Sequence, residues 1–189
     1  MIMKGYDVKI RLDDLRPITW RDLIIPEKIT FKELDRIIKI TYGFIGYHLS
    51  AFTFKDSDIE IVDLSNDLVT MNEALDMNET YIDEYFQKEK KIFYEYDFKN
   101  QWAFTIEIKK TVDYDKDYPT LKRFKGDYNP VEGCPGADGL EEILYYRDHP
   151  DDVPDYYAEI IESLEKFDSE DIQYRLEDFK SYDDDFFLF

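Results

Sequence analysis

The chain has 189 residues, 43% of them apolar, with 16 Tyr and 14 Phe, and a formal charge of −20. That apolar and aromatic content argues against disorder, and no stretch offers the ~20 apolar residues that a membrane-spanning helix needs. Residues 138–189 hold 18 acidic and 4 basic side chains, a surface that repels phosphate backbones and so argues against nucleic-acid binding. A basic protein is the partner such a surface would attract; plain solubility is the simpler explanation of the charge.

In chain order, Tyr6, Val8, Ile10 and Leu12 alternate with Asp7, Lys9, Arg11 and Asp13, which predicts a strand with one wet face. A second strand is expected from Ile18 to Ile25, stopped by Pro26. Thr30–Tyr42 is the clearest helix. Thr30 and Glu33 can form a capping box, Leu34, Ile37, Ile38 and Thr41 make an apolar stripe, and Gly43 falls at the left-handed cap. Lys32, Arg36 and Lys39 lie off the stripe and are expected to face water. Short strands follow over His48–Phe54 and Ile59–Val62 around the turn Asp56-Ser57-Asp58, then a loop over 63–78. Asn78 is placed to cap a short helix carrying Ile82, Tyr85 and Phe86.

The stretch Ile92–Ile108 should organise the rest. Ile92, Tyr94 and Tyr96 alternate, as do Trp102, Phe104, Ile106 and Ile108, with the polar Lys99-Asn100-Gln101 between them. Two period-2 runs joined by a short polar break form an antiparallel hairpin with one buried face. Asp113 to Gly136 reads as a long surface loop, followed by helices near Asp138–Tyr146 and Pro154–Leu164 and a last short helix from Ser169. The terminal Asp183-Asp184-Asp185-Phe186-Phe187-Leu188-Phe189 pairs an acidic run with an apolar tip, which either frays or docks on the core or a partner. Strands first, helices late and no strand–helix–strand rhythm predict an α+β fold, a single domain with a mainly antiparallel sheet and an acidic helical segment over about 138–189.

The residues favour few kinds of chemistry. Two histidines (His48, His149) and one cysteine (Cys134), without zinc-type spacing, argue against a closed metal site. Asp113, Asp115 and Asp117 imitate a calcium loop, but Tyr118 stands where glycine is required and Phe124 where a bidentate Glu belongs. Gly133, Gly136 and Gly139 precede a helix start without a phosphate-loop lysine, and turn-making is their expected task. A lone cysteine and the absence of a recognisable leader fit a cytoplasmic protein. No cofactor is expected, and nothing in the residues sets the oligomeric state. Carboxylates such as Asp97 and Glu132 could form an acid–base pair, but 44 acidic residues make some such pair inevitable. One constellation stands out, Arg21, His48, Asp97 and Trp102, each beside an expected strand. Two readings stand: a binding cleft with aromatic walls and directed polar groups, or a buried network in which Arg21 pairs with Asp97 and Trp102 fills the core.

Several segments together resemble the plasmid pRiA4b ORF-3-like family. They are Tyr6-Asp7-Val8-Lys9-Ile10, Pro17-Ile18-Thr19-Trp20-Arg21, Gly43-Phe44 with His48-Leu49 and Phe52, and Tyr94-Glu95-Tyr96-Asp97-Phe98 with Trp102. Pro130-Val131-Glu132-Gly133-Cys134-Pro135-Gly136, Gly139 and Glu141-Glu142 complete the set. The resemblance implies an α+β, roll-like domain and no established biochemical activity. Lys99-Asn100 replaces the family's usual Gly-Asp, and Phe104 a common histidine. Val131, Gly133 and Pro135 stand where Pro, Asp and Gly are usual. The expectation is therefore a non-enzymatic binding module, linked through the resemblance to plasmid or mobile-element biology. The alternative is an enzyme or small-molecule-binding domain using a cleft beside the hairpin.

Overall fold

The computed structural model describes residues 3–65 and 73–181. Eight strands form one sheet: β1 (Met3–Leu12), β2 (Thr19–Pro26), β3 (Ser50–Thr53), β4 (Ile59–Val62), β5 (Glu73–Asp76), β6 (Lys91–Tyr96), β7 (Trp102–Tyr114) and β8 (Thr120–Lys125). Their order is β5-β4-β3-β6-β7-β1-β2-β8, antiparallel throughout except for the parallel β4–β5 pair. The fold is α+β, with three of its five α-helices after the last strand.

The expected hairpin is central. Tyr96 faces Trp102, Tyr94 faces Phe104 and Ile92 faces Ile106, and β7 continues the row onto Ile10 of β1. These paired positions share a face because side chains alternate along each strand. Helix α1 (Phe31–Tyr42) covers that face. Phe31 packs edge-on against Phe52, Tyr42 against Phe104, and the Tyr42 hydroxyl donates to the Ile10 carbonyl at 2.8 Å. The capping box at Thr30 and Glu33 is formed, and Gly43 takes φ 75°, where a side chain would be strained. Helix α5 (Ser169–Glu177) and the 3₁₀ turn Phe179–Ser181 pack behind α1.

The structure departs from the sequence reading at several places. Lys39, expected in water, is buried with Asp35 inside α1. Within 63–78, β5 forms; residues 66–72 of that stretch lie outside the described residues. Helix α2 (Ile82–Phe86) is preceded by Tyr81, while the Asn78 side chain bonds Asp76 and Asp63 instead of capping it. The strand expected from His48 begins at Ser50, and the second strand begins at Thr19. Most of the change lies in 113–136. Strand β7 runs on to Tyr114, and β8 pairs with β2 as an edge strand. Its Lys122, Arg123 and Lys125 are exposed, the kind of charged edge that resists pairing with other chains. Helices α3 (Gly136–Asp148) and α4 (Asp155–Glu162) follow, with Pro154 just before α4 rather than in its first turn. The apolar tip lies outside the described residues.

Candidate functional site

Polar groups gather at the end of the hairpin where β6 turns into β7. Asp97 opens the turn at φ 58°, and its carboxylate accepts the Lys99 and Asn100 amides at 3.2 and 3.3 Å and the Asn100 side-chain amide at 2.6 Å. An aspartate tolerates this left-handed conformation when its side chain bonds the backbone just ahead. His48 Nε2 lies 3.5 Å from the second Asp97 oxygen, and the imidazole is partly exposed. Beside it, the Tyr96 hydroxyl donates to Glu132 at 2.5 Å and lies 3.4 Å from the His48 amide. The same Glu132 oxygen also accepts the Ile45 and Gly46 amides. Glu132 thus straps the 130–136 loop to the segment after α1. Gly136 closes the arrangement: at φ 60°, a Cβ there would stand 2.3 Å from the Asn100 carbonyl oxygen, so only glycine lets the two backbones meet.

Beneath this surface lies a buried ion pair. Asp35 lies 2.9 Å from the Lys39 ammonium and accepts from the Ser50 and Tyr94 hydroxyls at 2.6 and 2.7 Å. Burial alone would raise the Asp35 carboxyl, but Lys39, Lys32 and the Ser50 bond override it and hold the group below its ordinary value. Desolvation pushes the Tyr94 and Tyr96 phenols well above theirs, reinforced by Asp35 and Glu132 respectively. Lys39 also lies 5.4 Å from the Tyr96 ring. Lys39 thus links the buried pair to the ring of Tyr96, whose hydroxyl meets Glu132 and the His48 amide nearer the surface. Sequence reasoning missed this network, although Asp35 and Lys39 stand one helical turn apart, the spacing of a helical ion pair.

Of the four singled-out residues, the structure brings His48 and Asp97 together, while Trp102 pairs across the hairpin with Tyr96, the residue before Asp97. Trp102 is fully buried against Phe44, and its indole N–H has no partner among the described residues. Arg21 is elsewhere. It sits on β2, with β1 and β7 between it and the hairpin strand β6. The expected Arg21–Asp97 pair is not formed among the described residues. Arg21 instead donates to the carbonyls of Trp20 and Lys125 at 3.0 and 2.6 Å and lies 3.7 Å over the Phe167 ring. Burial pulls its guanidinium down to about 10, countered by Tyr42 and Asp127.

The network is close to saturated: Asp35, Asp97 and Glu132 each accept at least three hydrogen bonds or ion-pair contacts. Buried polar groups satisfied in this way hold a structure in one arrangement. Cys134 is fully buried, and burial pushes its thiol up to about 11, which suits packing rather than nucleophilic attack. Among the described residues no group of three or more His, Cys, Asp or Glu could hold a metal, and no helix is long and apolar enough to cross a membrane.

A second feature lies at the other end of α3. A cavity of about 390 Å³ separates the β1–β2 turn from this helix, with Leu15, Pro17, Leu140 and Leu144 as its apolar part. Tyr128 and Tyr145 stand at its walls, with Arg147 4.4 Å over the Tyr128 ring.

No curated protein matches the chain. Among solved structures, a protein of unknown function from Methanosarcina mazei Go1, MM3350, superposes with a TM-score of 0.74. The match has 21% identity and covers 90% of this chain and 97% of the other, so the two share a fold. The family model for the plasmid pRiA4b ORF-3-like proteins matches residues 4–176, and the chain belongs to that family.

Proposed function

We propose that this protein is a non-enzymatic binding module whose acidic helical layer receives a basic protein partner. One observation carries the reading. From Gly136 to Glu162, across α3, the 3₁₀ turn Pro150–Asp152 and α4, the chain bears nine acidic side chains and a single cation, Arg147. Helix α4 buries none of its residues. The sheet's cations are arranged differently: Lys109 and Arg123 contact Asp22, Lys122 contacts Asp7, and Arg11 contacts Asp13. Negative charge is thus left unbalanced on the helical layer, where Tyr145 and Tyr156 are also more than half exposed. Exposed tyrosine is enriched at protein interfaces, and the acidic surround is complementary to a basic partner. The saturated groups under the hairpin favour this reading over an enzyme or a small-molecule cleft at His48. The plasmid reading frame in the family's name extends the proposal to plasmid or mobile-element biology.

The test is affinity capture from host lysate with the wild-type chain and a variant carrying Glu142→Gln, Asp151→Asn, Asp152→Asn, Asp155→Asn and Glu159→Gln. A stoichiometric basic protein held by the wild type, released as salt rises and lost by the variant, is the expected result. Retention of the same partner by the neutralised variant refutes the proposal.

A further inference from the structure

We infer that the groove between the β1–β2 turn and α3 takes an arginine side chain of a basic partner; this deepens the reading of the acidic layer and rests on it. The groove's volume, about 390 Å³, lies in the range of pockets that enclose a ligand group. Its floor is apolar and its walls carry two tyrosines, Tyr145 backed by His149 stacked at 4.1 Å. The groove already demonstrates what its chemistry holds. Arg147 lies 4.4 Å over the Tyr128 ring while its Nε and Nη2 donate to the two Asp148 oxygens, both at 2.8 Å. An aromatic face with a carboxylate fork is the environment that suits a planar guanidinium better than an ammonium.

Charge favours a cationic occupant. Arg147 and Asp148 neutralise each other, which leaves Asp127, which also faces the buried Arg21, and Glu141 against the exposed Arg16 among the remaining charged lining residues. Asp151 and Asp152, on the 3₁₀ turn Pro150–Asp152 that follows the lining residue His149, add negative charge to the same stretch of chain. Tyr145, 53% exposed, offers a second ring to an incoming guanidinium as Tyr128 does to Arg147. Cation–π attraction at such a ring favours a cation, and a planar guanidinium stacks on the ring face where an ammonium does not.

The experiment uses the full chain and three fluorescein-labelled decapeptides of alternating sequence: Arg-Gly, Lys-Gly and Glu-Gly, titrated by fluorescence anisotropy at low salt. The arginine peptide is expected to bind about fivefold or more tighter than the lysine peptide of equal charge. Tyr145→Ala and the pair Asp127→Asn, Glu141→Gln should remove that preference. Asp151→Asn with Asp155→Asn should weaken both basic peptides alike. Circular dichroism confirms folding of each variant, and Tyr145, being exposed, is dispensable to the core. Equal binding of the arginine and lysine peptides, unmoved by the groove variants, overturns the groove assignment and leaves the acidic-layer reading standing. Preferential binding of the glutamate peptide, through Arg16 and Arg147, overturns both.

Discussion

The Lys39 ammonium stands 2.9 Å from the Asp35 carboxylate with both side chains almost sealed from water, one helical turn apart on α1. The carboxylate also takes hydroxyls from Ser50 on β3 and Tyr94 on β6. The pair therefore fixes α1 against two strands of the sheet. Removing one partner leaves a buried charge uncompensated, which costs about 3–5 kcal/mol, whereas replacing both by apolar groups of similar volume is often close to neutral. Asp35→Asn should lower stability by that amount, and Asp35→Leu with Lys39→Met by clearly less than the sum of the single changes. Urea unfolding of the wild type, Asp35→Leu, Lys39→Met and the double variant, combined as a double-mutant cycle, measures the coupling; additive losses would show that the pair is not a unit.

A second carboxylate sets an acid limit. Asp22 on the open face of the sheet is sealed by Lys109, Arg123 and Lys9. Burial opposes its charge, but the bonds from Lys109 and Arg123 prevail and hold it below its ordinary value. A depressed folded-state pKa means that the unfolded chain binds the proton more readily. The associated stability is fully present above the unfolded aspartate value of about 3.9 and is lost as pH falls through the lower folded value. Asp22→Asn should flatten the dependence of the urea midpoint on pH below about 4 while leaving its slope between pH 6 and 8 unchanged. An unaltered acid slope would place the acid sensitivity in other carboxylates.

How much of this was legible beforehand depends on which forces dominate each segment. The β1, α1 and β6–β7 elements announce themselves because one face is apolar at a fixed period, and the capping box and Gly43 mark the helix ends chemically. β8 carries almost no such signal. As an edge strand it has four exposed residues out of six, so neither alternation nor β-branched density marks it; only Pro119 and Gly126 bracket it. Lys39 misleads for the opposite reason, since residue type predicts water and only its ion partner a turn earlier allows burial. Arg21 and Asp97 look like natural partners on paper, but pairing depends on strand order, and two intervening strands separate them.

Arg21 should accordingly behave as a packing residue. Its guanidinium is held by two carbonyls and the Phe167 ring, while its Nε and Nη2 make no hydrogen bond among the described residues. Arg21→Ala leaves a cavity and two carbonyls without this donor, a loss of about 3 kcal/mol. Arg21→Met fills most of the volume without the desolvated charge and should lose less than half as much. Thermal or urea unfolding gives the ranking. Partner binding in the folded Met variant should equal that of the wild type, and a drop would return Arg21 to the binding machinery.

The Glu132 strap gives a local rather than global prediction. One carboxylate oxygen collects the Ile45 and Gly46 amides and the Tyr96 hydroxyl. Ile45 and Tyr47 in the same segment are exposed, so few apolar contacts add to the strap. Glu132→Ala should therefore release this segment without unfolding the sheet. It strands the buried Tyr96 hydroxyl, for about 1–3 kcal/mol. Amide exchange followed by mass spectrometry should show peptides spanning 44–49 exchanging faster, while peptides from β6 and β7 keep their protection. Glu132→Gln retains an acceptor oxygen and should restore part of the protection. Uniform acceleration across the sheet would mean that Glu132 belongs to the cooperative core; no acceleration at 44–49 would mean that the segment is held by its packing alone.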